Sequence, residues 1–169
     1  IAPRDVELII CATYTPDMAF PTNACIIQNG IGAKPAAAFD LQAACSGFVY
    51  ALVTAAQYVI AGNLRYGLVV AAEINSTIVD PMDQKVTPLF GDGAGAVVVG
   101  RVTDGSGLLG FHLGADGGGG GLFFMPAGGS RRSRYSRQRS NSTDDSARGR
   151  RRRVTSPTTV CVSRGTDAR

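Results

Sequence analysis

Cys45 is the residue best placed for covalent chemistry. It lies in Gln42-Ala43-Ala44-Cys45-Ser46-Gly47-Phe48, between two segments of different character. Before it, Ala36-Ala37-Ala38-Phe39-Asp40-Leu41 is a short apolar run that reads as a buried strand. After it, Phe48, Val49, Leu52, Val53, Ala56, Val59 and Ile60 recur at three- and four-residue steps, with Gly62 as a stop signal. That spacing predicts an amphipathic helix from Ser46 to Ala61. A thiol at such a junction faces the positive end of the helix dipole and N–H groups without intrahelical partners. Negative charge on sulfur is favoured there, as a nucleophile requires. The same N–H groups could hold an oxyanion forming on a thioester carbonyl. A small buried cysteine filling a helix start has the same placement, so position alone leaves both readings open.

Two further stretches could carry chemistry. Gly91-Asp92-Gly93-Ala94-Gly95-Ala96 meets the dinucleotide-binding spacing, but that motif must open a helix, and Ala96-Val97-Val98-Val99 is a β run. Nucleotide binding is therefore not expected. His112 is the single histidine, in Gly110-Phe111-His112-Leu113, which reads as a strand; a structural role is expected for it rather than catalysis. Cys11, Cys25, Cys45 and Cys161 show no metal-type spacing and suit a reducing cytoplasm better than a disulfide framework.

The elements that must position these residues follow from the apolar pattern. Glu7 to Thr13 reads as a buried parallel strand. Asn23 is a plausible N-cap for a helix through about Gly30, with Ile26 and Ile27 turned inward. Arg65 to Ile74 is another buried strand, and Asn75 to Pro88 a polar loop. Ala94 to Val102 and Leu108 to Leu113 read as paired strands. Strands alternating with helices imply an α/β sheet. No apolar stretch is long enough to span a bilayer. The chain opens without Met, just ahead of a strand, and reads as a piece of something longer.

Ala43-Ala44-Cys45-Ser46-Gly47-Phe48, followed by Phe90-Gly91-Asp92-Gly93-Ala94-Gly95-Ala96, resembles β-ketoacyl-acyl-carrier-protein synthase III. This family of thiolase-like condensing enzymes starts type II fatty acid synthesis. Asp5 to Ile10, Ala19-Phe20-Pro21-Thr22, Ala38-Phe39-Asp40, Leu68 to Glu73 and Asp80-Pro81 support the likeness, which runs from residue 1 to about Ser130. The resemblance implies an α/β, thiolase-like fold, mostly the first of two α/β halves and incomplete. Residues 1–116 would form that half, truncated at its start, and residues 117–130 a Gly-rich loop with residual resemblance. It implies that Cys45 carries an acyl group taken from acyl-CoA. Malonyl-acyl carrier protein then loses CO2 and attacks it. The family is homodimeric, and the CoA thioester is a substrate, with no resident cofactor.

Phe20 matches a position that in the family reaches across the dimer interface to line the neighbour's acyl pocket. Its other reading is a loop aromatic packed on its own core. Gly91 and Gly93 are expected to be substrate-binding, letting backbone approach backbone beneath the cysteine. Asn75 stands where family members commonly place an apolar pocket residue, a departure that bears on acyl preference. The family's catalytic His and Asn come from its second half, so this chain as given would at most acylate Cys45. The family's CoA contacts lie largely upstream of Ile1.

Composition changes at the end of the resemblance. Residues 1–130 hold 5 Lys or Arg against 10 Asp or Glu, whereas residues 131–169 hold 12 Arg and 3 Asp. Overall basicity therefore belongs to the tail. Its Arg, Ser and Thr, almost without apolar pattern, cannot build a core and read as a disordered or mistranslated segment. Two rival functions remain open: polyanion or RNA binding through this tail, and a related polyketide starter enzyme. Nucleic acid and membrane partners are not expected for the folded part.

Overall fold

The computed structural model describes residues 1–103 and 106–131. They fall into two units, one within residues 1–113 and the other within 114–131. In the first unit a four-stranded sheet has the order β2-β1-β3-β4. Its strands are β1 (Leu8–Ala12), β2 (Ala37–Leu41), β3 (Tyr66–Ile74) and β4 (Asp92–Gly100), with helices α1 (Asn23–Ile31) and α2 (Gly47–Ile60) between them. β1 runs parallel to β2, with Leu8 opposite Ala37, and parallel to β3, with Leu8 opposite Gly67. β4 returns antiparallel to β3.

β1 is the centre because all five of its residues are apolar and both sheet faces are covered there. Its alternation divides the core. Ile9 and Cys11 pack with Ala24, Ala33, Val70 and Ile27 on the α1 side. Leu8, Ile10 and Ala12 pack with Ala51, Ala55, Val69 and Phe48 on the α2 side. α2 approaches closely because it presents small residues: a Cβ on Gly67 would sit 3.6 Å from that of Ala55.

α1 is fixed from a distance. The Asp40 carboxylate of β2 accepts hydrogen bonds from the N–H groups of Asn23 (2.9 Å) and Ala24 (2.8 Å), two of the orphan donors at a helix start. The N-cap is therefore Thr22 rather than Asn23, which forms the first helical position while its side chain accepts from the N–H of Asp17. Gly32 ends the helix at φ 73°. Ile27 packs inward as expected, but Ile26 is 39 % exposed.

Two other expectations change. β2 is only half-buried, because among the described residues β1 alone pairs with it. Leu108–Leu113 is not a strand: β4 pairs with β3, leaving this segment without a ladder. In the second unit, Gly117–Gly119 forms a 3-10 turn, with Asp116 accepting from the N–H of Gly118 (2.9 Å). No helix among the described residues is long and apolar enough to cross a membrane. The arginine-rich segment lies outside the described residues beyond Arg131.

Candidate active site

Cys45 sits on a 3-10 turn, Ala44–Ser46, between β2 and α2. The residue before it, Ala44, has φ 45°, a conformation that non-glycine residues avoid and that recurs at functional turns. This bend presents Cys45 outward, and its side chain is exposed. Gly47 closes the arrangement from behind. Its backbone is ordinary helix, so the glycine is needed for space: a Cβ there would lie 3.2 Å from the Ala12 Cβ. α2 therefore starts directly on the end of β1.

Cys45 opens onto a cavity of about 330 Å³ lined by Tyr14, Phe48, Glu73, Asn75, Phe90 and Gly91, among others. Tyr14 follows β1, Cys45 follows β2, and Glu73 and Asn75 lie at the end of β3. The cavity thus stands at the carboxyl ends of the parallel strands, where open α/β sheets place their sites.

Glu73 ties this end together. Its carboxylate accepts from the Tyr14 N–H (3.0 Å), the Thr15 hydroxyl (2.6 Å) and, more weakly, the Thr13 hydroxyl (3.4 Å). The Thr15 hydroxyl oxygen in turn accepts from the Ile74 N–H (2.8 Å). Asn75, 7 % exposed, continues the wall. Its amide oxygen accepts from the Tyr14 hydroxyl (2.5 Å), and its amide nitrogen donates to the Gly91 carbonyl (2.8 Å). Burial raises the Tyr14 phenol above its ordinary 10.0, with the Glu73 carboxylate and Cys45 adding to the rise, while the Asn75 hydrogen bond opposes it. Tyr14 is therefore a neutral donor across the neutral pH range.

The other predicted positions divide. Gly91 lines the cavity and Gly93 does not. Nothing lies within 4 Å of a Cβ built on either, so the expected backbone approach is not seen among the described residues. The Gly91–Ala96 stretch enters strand β4, against a dinucleotide-binding turn. Phe20 is 84 % exposed, not packed on its own core. His112 is exposed, outside any strand, and does not line the cavity. The turn engages two of its own donors: Ser46 N–H with the Ala43 carbonyl (3.1 Å) and Gly47 N–H with that of Ala44. An oxyanion at Cys45 must look to other N–H groups. No cluster of three or more His, Cys, Asp or Glu suited to a metal exists among the described residues.

Tyr14 and Glu73 were not singled out by the sequence. The signal available was a carboxylate ending a buried apolar strand, and a tyrosine just after another.

The family model described as 3-oxoacyl-acyl-carrier-protein (ACP) synthase III matches residues 39–117. Beta-ketoacyl-acyl-carrier-protein synthase III 1 of Bacillus cereus is 55 % identical over 117 residues, 69 % of this chain and 38 % of that protein. Among solved structures, 3-oxoacyl-acyl-carrier-protein synthase III from Aquifex aeolicus VF5 is similar at 46 % identity and TM-score 0.68, over 70 % of this chain and 38 % of its own. The priming beta-ketosynthase from the R1128 polyketide biosynthetic pathway is similar at 40 % identity and TM-score 0.68, over 70 % and 35 %. The chain thus spans 38 % of the length of the first of these relatives.

Proposed function

Since residues 1 to about 117 belong to the 3-oxoacyl-acyl-carrier-protein synthase III family, with its thiolase-like α/β fold, we propose that Cys45 is an acyl-carrying nucleophile in a decarboxylative condensation. The observation that carries this reading is the Cys45 turn itself: an exposed thiol, presented by the strained Ala44, on a cavity lined by Tyr14, Glu73 and Asn75. In the first half-reaction the Cys45 sulfur attacks the carbonyl of an acyl-CoA. The new S–C bond forms, the bond from carbonyl carbon to the CoA sulfur breaks, and CoA leaves as the thiol with the proton that Cys45 gave up. A backbone N–H beyond the two engaged in the turn would hold the tetrahedral oxyanion. In the second, malonyl-acyl carrier protein loses CO2 and its carbanion attacks the acyl-cysteine, releasing Cys45 as thiolate. Covalent capture divides one difficult step into two easier ones.

The groups on the described residues equip the first half-reaction. Tyr14, Glu73 and Asn75 line the cavity onto which the thiol opens, and no imidazole among the described residues does so. Phe20, exposed on the loop after β1, is proposed to enter the acyl pocket of a second copy, and Gly91 to border the acyl group. The overall role is initiation of fatty acid synthesis in the cytoplasm, by a homodimer with acyl-CoA and malonyl-acyl carrier protein as substrates and no resident cofactor.

Mass spectrometry of the chain incubated with acetyl-CoA tests this. The expected result is one acetyl group, released by hydroxylamine, mapping to Cys45 and lost in Cys45→Ala. With malonyl-acyl carrier protein added, no β-ketoacyl product is expected from this chain. Acetylation that persists in Cys45→Ala would refute the assignment.

A further inference from the structure

The cavity beside Cys45 has two kinds of wall. Ala12, Ala44, Phe48, Ala71 and Leu89 offer only hydrocarbon side chains. Tyr14 and Asn75 offer a phenol and a primary amide, held against each other by the 2.5 Å hydrogen bond and against Gly91, the residue before β4, by a 2.8 Å bond. These bonds orient the pair. An amide has two N–H groups and two acceptor lone pairs, and the phenol oxygen has lone pairs beyond its donated hydrogen. Tyr14 and Gly91 account for one acceptor and one donor position on Asn75. A saturated hydrocarbon chain seated here would displace water from polar groups and return nothing. A chain carrying an oxygen a few bonds from the thioester would restore a hydrogen bond.

Resting on the acyl-carrier reading above, we propose that Asn75 and Tyr14 are specificity-determining residues that select short acyl groups bearing a polar oxygen over hydrocarbon groups of the same shape. The substrate class is a hydroxyacyl or oxoacyl thioester of about four carbons. Its carbonyl carbon meets the Cys45 sulfur, and its distal oxygen meets the Asn75 amide. The step is the same acyl transfer, with CoA leaving as thiol and no change of oxidation state.

The test compares 3-hydroxybutyryl-CoA with 3-methylbutyryl-CoA, which differ by a hydroxyl in place of a methyl. Rates of thioester formation on Cys45 are read by mass spectrometry in the full chain. The expected preference for the hydroxylated donor is about tenfold, equivalent to about 1.4 kcal/mol. Tyr14→Phe, which removes only the hydroxyl, and Asn75→Leu, which removes the amide at similar volume, should each erase most of it. Iodoacetamide alkylation of Cys45 should be unchanged, which separates selectivity from misfolding. Equal rates in the unaltered chain, or a preference surviving both variants, would overturn the inference while leaving Cys45 as acyl carrier. No thioester from either donor while acetyl-CoA still acylates Cys45 would also overturn the inference; alkylation by iodoacetamide with no thioester from either donor or from acetyl-CoA would overturn the acyl-carrier reading itself.

Discussion

At the scale of single residues, Cys11 and Cys45 are the same side chain in opposite settings, one buried and one exposed. Cys11 is fully buried on the central strand, and burial lifts its thiol from an ordinary 9.0 to about 11, with the Asp40, Glu73 and Asp17 carboxylates adding to the rise. A raised thiol pKa means that the folded state holds its proton longer than the unfolded state does. The resulting stability is fully present below pH 9, falls as pH climbs toward 11, and amounts to about 3 kcal/mol across that window. Urea midpoints measured from pH 8 to 11 should therefore decline, and Cys11→Ala should flatten the decline. At pH 8 iodoacetamide should modify the exposed Cys25 and Cys45 and spare Cys11. Cys45 was legible in the sequence because its setting is local: one strand ending, one helix starting, a glycine two positions on. Asn75 was legible only through the resemblance, and Tyr14 and Glu73 were not. They meet only through the pairing of β1 with β3, and no spacing within either segment encodes that register.

Among the elements, α2 does most to set the site, because its first residue touches the end of β1. Gly47→Val would drive methyl groups into the Ala12 side chain, already 3.2 Å from where a Cβ would stand. The expected cost is about 1–3 kcal/mol of stability, from overpacking. A drop in Cys45 acylation well beyond the fraction unfolded is expected too, since the turn bearing the thiol is displaced. Circular dichroism and thioester mass spectrometry on the same sample would read both; full acylation at reduced stability would mean that the contact is structural only. Helix α2, helix α1 and strands β1 and β3 were readable to within a few residues from apolar periodicity. Thr22 as N-cap was not, because the Asp40 carboxylate that fixes the start of α1 comes from a different strand. The missing strand at Leu108–Leu113 has a similar cause: alternation describes a face, but a strand exists only where another backbone completes it.

For the molecule as a whole, the fold class was legible from the alternation of strands and helices, and the family from the Cys45 and Gly91–Ala96 motifs together. The order of the strands across the sheet was not, since it depends on which crossover lands on which side of β1. That order has a consequence for how the native state is reached. The middle of the sheet comes first in the chain, yet its two partners are made much later, Ala37 and Gly67 both facing Leu8. Helices form from near neighbours and gain their signal early, whereas parallel pairing between distant segments waits on the closing of long loops. On dilution from denaturant, helical circular dichroism should recover before Cys11 becomes shielded from a fast thiol reagent. Simultaneous recovery would mean instead that sheet and helices condense in a single event. Either way, Cys11, inert in the finished protein, reports the moment at which its centre closes.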